Sequence, residues 1–246
     1  MIKLYHKTYH LPTTWEQIPY KIHLLLAPVL LQSNTIGLPY AILCQYIPKK
    51  ILDTLPDAYL QPIIDLLKWA EEVPYSHPFT HFKLPSLLRR GKGWFIDLDK
   101  TTLFQLAYAH FYLRQLSKPA QFLKALDEIF FTLSLFDNDE EYTDKAKEAN
   151  QKYYASKISP NQKILIALQF AHWHKTTIID RYSPKNQEPE VDFETGQPIE
   201  AKPQNDQYGY FPLILDVAQS GIYGNYETAC KIPAHTIFFN AMISRS

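Results

Sequence analysis

The chain has 246 residues, of which 46% are hydrophobic and 20% charged, and its 25 basic and 25 acidic side chains leave no net charge. That length can bury a substantial core as one large domain or two small ones. The even charge balance argues against a partner reached by bulk electrostatics, such as duplex DNA or an anionic membrane surface.

Eighteen prolines against seven glycines leave few left-handed backbone positions. This disfavours hairpin-rich β folds and phosphate-cradling loops, and it predicts helices that stop and restart. Cys44 and Cys230 are too few to staple a chain of this size. With no secretory signal in view, they read as small buried hydrophobes in a reducing cytoplasm. The longest apolar run, 24–31, is interrupted by Pro28 and is too short for a membrane span.

In chain order, residues 2–10 alternate weakly and predict a short strand or hairpin. Thr13 with Glu16 and Thr14 with Gln17 both have capping-box spacing, which predicts a helix start there. Its apolar stripe runs through Ile22, Leu25, Leu26, Val29 and Leu30. A second helix is expected over 38–47. A third opens at Pro56 with Tyr59, Ile63, Ile64, Leu67 and Trp69–Ala70 facing inward. Prolines 74, 78 and 85 with Gly91 and Gly93 break the pattern over 74–99, where 81–84 and 94–98 predict a small β excursion. Helices resume after Thr101–Thr102 and again at Pro119. A polar helix to about residue 156 follows the acidic turn 137–141. Ser159–Pro160 launches the most apolar helix, 164–179, which should lie centrally. The stretch 183–208 is acidic, proline-rich and unable to build a core, so it reads as a long mobile surface loop. A C-terminal helical pair, about 211–219 and 234–244, closes the fold around 220–224. The expectation is a mainly α, irregular multi-helix protein. Its body, 1–182, carries the β excursion, and 209–246 packs back on that body as a single domain overall.

Candidate chemistry is sparse. His172 and His174 stand two apart on a helix and so point to different faces, whereas a chelating pair needs a spacing of three or four. His77 and His81 have the right spacing, but Pro78 lies between them; they are the only basis for a metal-dependent hydrolase reading. The acidic turn resembles the opening of a calcium loop with Glu148 at its twelfth position. Tyr142, however, sits where the sharp turn requires glycine. No nucleophile elbow is present, and Gly221-Ile222-Tyr223-Gly224 is too short for a dinucleotide loop. Arg89, Arg90 and Lys92 with Trp94 and Phe95 form the one concentrated basic-aromatic patch. It could engage a single-stranded nucleic acid by charge and stacking, so a nucleic-acid-associated module using 82–95 is the alternative reading. No catalytic, cofactor-binding or metal-binding set is assigned. The residues predict a non-enzymatic protein without cofactors.

Three stretches carry a resemblance. Leu11-Pro12-Thr13-Thr14-Trp15-Glu16-Gln17-Ile18 looks like the opening of helical proteins from tail-gene clusters of Bacteroidetes phages and prophages. The basic Gly-Lys turn and strand of 87–99, followed by Thr101-Thr102-Leu103-Phe104-Gln105-Leu106-Ala107, is similar to a second segment of those proteins. The apolar helix of 159–179 with the later Gly221-Ile222-Tyr223-Gly224 turn resembles a third. The acidic insert at 183–206 and the tyrosine at 223 depart from their pattern. The resemblance implies a tail assembly chaperone or structural adaptor, with a tape-measure or tail-tube subunit as partner. It would be cytoplasmic in a bacterial host or virion-associated, with no nucleic acid or membrane partner. The candidate interaction residues are Arg89, Arg90, Lys92, Trp94, Phe95 and Tyr223.

Overall fold

The computed structural model describes residues 1–31, 37–71, 81–82, 94–136, 142–182 and 209–243, and of 81–82, 94–95, 136 and 241–243 only the backbone. The predicted mainly α character is what the chain adopts. It folds as two compact units, one of Met1–Phe79 with Ser156–Gln169 and one of Thr80–Ala155 with Phe170–Ser246.

The first unit opens with the expected hairpin. Strand β1 (Ile2–Leu4) pairs antiparallel with β2 (Lys7–Tyr9), with Ile2 opposite Tyr9. The two-residue turn has no glycine, so Tyr5 itself takes the left-handed conformation, φ 54°, a strained choice for a bulky residue. Its phenol lies 3.2 Å from the Thr54 hydroxyl.

The capping-box signal at 13–17 produces only a 3₁₀ turn, Trp15–Gln17, and helix α1 (Tyr20–Leu31) begins later. The Gln17 side chain accepts from the Thr13 backbone N–H at 2.8 Å, four residues back rather than three, which closes a turn instead of starting a helix. Helices α2 (Leu38–Tyr46), α3 (Lys49–Leu52) and α4 (Asp57–Asp65) follow, then a 3₁₀ turn at Lys68–Glu71. Leu26, Ala27, Leu38, Ile42, Leu43 and Leu67 fill the core at no more than 2% exposure. Trp15 packs edge-on against Trp69, ring centres 5.6 Å apart. Tyr59, expected to face inward, is 67% exposed, since only the second turn of α4 reaches the core, through Ile63.

In the second unit, β3 (His81–Phe82), β4 (Trp94–Phe95) and β5 (Leu135–Phe136) form a three-stranded antiparallel sheet in that order. The sequence predicts the β excursion but not its third strand. Leu135–Phe136 follows α6 after the single cap residue Ser134 and pairs with β4.

Helices α5 (Leu103–Leu113) and α6 (Phe122–Leu133) pack against each other. A full capping box starts α5. Gln105 N–H donates to Thr102 Oγ1 at 3.2 Å, and Gln105 Oε1 accepts from Thr102 N–H at 3.1 Å. Helix α7 (Asp144–Tyr154) is capped by Thr143, whose hydroxyl accepts from Ala146 N–H at 3.1 Å.

Helix α8 (Pro160–Trp173) does not run on to 179 as α-helix. Residues His174–Ile179 form a π-helical turn, and α9 (Asp180–Tyr182) follows. The expected C-terminal pair is a trio, α10 (Phe211–Gln219), α11 (Tyr226–Lys231) and α12 (Ala234–Ile243). Asn225 makes the additional helix possible by accepting from Thr228 N–H at 3.0 Å. The starts of α5 and α12 are tied by Leu103 N–H to Ile232 O and Ala234 N–H to Thr101 O, each 2.8 Å.

Candidate functional site

The C-terminal trio presents large apolar side chains to solvent. Leu215 on α10 is 53% exposed, Ile222 in the following turn 78%, Tyr226 opening α11 47% and Phe239 on α12 48%. The turn holding Ile222 is a fixed structure. Gly221 and Gly224 take φ of 68° and 84°, conformations an L side chain resists. Ser220 Oγ donates back to Val217 O at 2.7 Å and accepts from Ile222 N–H at 3.3 Å. Asn240 Nδ2 donates to Tyr223 Oη at 2.6 Å, joining the turn to α12. Ile222 and Phe239 are therefore the chain neighbours of a bonded pair. Tyr223, the one expected interaction residue whose side chain is described, is half-buried and shapes this surface as a hydrogen-bond acceptor.

The remaining expected positions fare differently. Arg89, Arg90 and Lys92 lie outside the described residues, as do His77, the acidic turn 137–141 and the loop 183–208. Trp94 and Phe95 are placed by their backbone on β4, the central strand of the sheet. Cys44 and Cys230 are free thiols. Both are half-buried rather than buried, and burial pushes the Cys230 thiol up. Among the described residues no group of three or more His, Cys, Asp or Glu side chains could hold a metal, and no helix is long and apolar enough to cross a membrane.

Two polar clusters of the second unit are not legible in the sequence. In the first, Lys147 on α7 bonds Glu128 on α6 at 2.5 Å, with their side chains only 7% and 12% exposed, and its ammonium sits 4.1 Å from the Tyr108 ring centre. Beside them, burial and then the Asp144 carboxylate push the Tyr142 phenol well above the usual range.

In the second, His174 Nε2 lies 2.6 Å from Tyr210 Oη. The His110 ring is 4.8 Å from His174 and 5.0 Å from Tyr210, centre to centre. His174 is 5% exposed, and burial followed by the charge of His110 lowers its pKa to about 4. Of the His172–His174 pair, the first is half-buried and the second buried, and the partners of His174 come from elsewhere in the chain. Sequence spacing gives no access to contacts between positions 110, 174 and 210. The one local signal is Gly209. A Cβ there would lie 3.0 Å from His110 Nδ1, and the residue has φ 56°.

The class these features define is a mainly α protein whose last three helices and the turn between them leave several large apolar side chains exposed. No protein-family model matches the chain, and no curated protein or solved structure matches it either.

Proposed function

We propose that this chain works by binding another protein through the surface formed by α10, α11 and α12, without chemistry of its own. The observation that carries the reading is the exposure of Ile222 and Phe239 on either side of the Tyr223–Asn240 hydrogen bond. Leaving large apolar side chains in water forgoes about 25 cal/mol for every Å² that a partner would cover. A turn that holds such a side chain outward with two left-handed glycines and a serine bridge keeps it ready for contact. An apolar centre with a polar surround is the usual anatomy of a docking surface. Here Asn225, Glu227 and Lys231 supply exposed polar neighbours in the sequence.

The proposed partner is a phage-type tail component, a tape-measure or tail-tube subunit, with the chain as assembly chaperone or adaptor in the host cytoplasm. What supports this partner is the sequence resemblance at 11–18, at 87–99 with 101–107, and at 159–179 with 221–224. Co-expression of the full chain with tail-tube and tape-measure subunits, followed by affinity capture and size-exclusion chromatography, tests it. A complex that co-elutes with one of them is expected. The chain eluting alone in every combination overturns the assignment of the partner.

A further inference from the structure

We propose that His110, His174 and Tyr210 form an acid-sensitive latch that holds α5, the π-helical turn and the start of α10 together at neutral pH and lets them part on protonation.

The latch joins three elements distant in sequence. His110 stands on α5, His174 begins the π-helical turn and Tyr210 immediately precedes α10. The contact between imidazole and phenol is short, 2.6 Å, and Phe170 stacks on His174 with ring centres 6.1 Å apart. Phe238 of α12 meets the Tyr210 ring edge-on at 5.7 Å. Gly209, at φ 56°, brings the backbone ahead of α10 onto the His110 ring, where an added Cβ would crowd Nδ1 at 3.0 Å. A π-helical turn widens the helix locally, and such turns occur frequently where a side chain has been re-aimed for a purpose.

Neutral rings suit this site and charged ones do not. A proton on His174 would place a cation in a nearly water-free position beside a second histidine. The other ionisable groups of the elements around it are Lys175 in the π turn, Asp180 and Arg181 on α9, Asp216 on α10, Tyr226, Glu227 and Lys231 on α11 and His235 on α12, all exposed, and the buried Lys163 near the start of α8. Tyr108 and Tyr112 of α5, Tyr182 of α9, Cys230 of α11 and His172 of α8 are half-buried. The charge of His110 acts on His174 against its protonation. Separation of the three elements lets water reach both imidazoles and removes the penalty. The proton is therefore bound more tightly by the open form, and acid favours opening. The inference is independent of the partner proposed above, because opening is read on the isolated chain.

Amide hydrogen exchange of the full chain at pH 7.5 and 5.0, corrected for the intrinsic pH dependence of exchange, reads the latch directly. With His174 near 4 when closed and 6.5 when open, opening of segments 103–113 and 209–219 should increase about 30-fold between the two conditions. His174→Phe keeps a ring in place and should remove the acid response. Tyr210→Phe should raise exchange in the same segments at pH 7.5 while leaving the response to acid in place. Corrected exchange that is the same at both pH values in the unaltered chain overturns the latch, as does a full acid response surviving in His174→Phe. Should that variant fail to fold, the His174 imidazole is followed by NMR in the unaltered chain, where a midpoint at the ordinary histidine value also overturns it.

Discussion

Asn240 reaches back from α12 to donate a 2.6 Å hydrogen bond to the phenol oxygen of Tyr223, so the glycine-bounded turn and the last helix are held as one surface. Each bonded residue has an exposed apolar chain neighbour, Ile222 before Tyr223 and Phe239 before Asn240. A surface organised this way is shaped before any partner arrives, which lowers the ordering cost of association.

If Ile222 and Phe239 are central anchors of the contact, replacing either by aspartate should weaken partner binding at least ~30-fold, the scale of a hot-spot residue. Both side chains are exposed, so the thermal midpoint of the isolated chain should hardly change. Titration calorimetry against the captured partner, with melting curves alongside, separates the two effects. Unchanged affinity in both variants would remove these residues from the contact.

Gln105 serves two structures at once. Its side-chain oxygen closes the capping box of α5 while its amide nitrogen donates to Thr132 O on α6 at 2.7 Å. Gln105→Ala loses both and strands a buried carbonyl, so urea unfolding should show a loss of roughly 2 kcal/mol. Thr102→Ala removes only the cap and should lose about 1 kcal/mol.

The Lys147–Glu128 pair is nearly closed to solvent, which sets its mutational asymmetry. Lys147→Met leaves a carboxylate without its cation and should destabilise the chain by about 3–5 kcal/mol. The double change Lys147→Met with Glu128→Leu should recover most of that loss, because removing both charges also removes their desolvation cost. Denaturant midpoints of the single and double variants test this.

Stability should also fall in acid through His174. Its native pKa, lowered to about 4 by burial and then by His110, lies below the ordinary 6.5. The folded chain thus binds fewer protons than the unfolded one. The contribution of this site is intact above pH 6.5 and is lost as pH falls from there to about 4, reaching roughly 3 kcal/mol. Urea midpoints measured across that range should decline in the unaltered chain and decline by less in His174→Phe.

The fold is legible in the sequence where one local rule decides the outcome. Thr102 and Ser159 stand where helix starts are expected, and each closes a cap with a glutamine three residues on, Gln105 and Gln162. Helix α6 follows its apolar periodicity, burying Leu126, Ile129 and Phe130 completely. Legibility ends where tertiary context chooses between local options. Thr13 and Gln17 satisfy each other around a 3₁₀ turn. Leu135–Phe136 pairs with β4 just after the helix, and the segment after Trp173 widens into π geometry. Tyr223 stands out in its glycine-flanked turn, yet its tie to α12 depends on Asn240, seventeen positions away. The histidine pair is invisible for the same reason, since position 110 meets 174 and 210 only after folding.

The most direct test of the docking surface is site-specific photo-crosslinking in cells that make the tail components. A photoreactive phenylalanine analogue is placed at position 239 and, as a control, at the exposed position 59 of the first unit. A covalent adduct with a tail-tube or tape-measure subunit is expected from position 239 and none from position 59. Adducts from position 59 alone, or none from position 239 in a complex that still forms, would contradict docking through this surface.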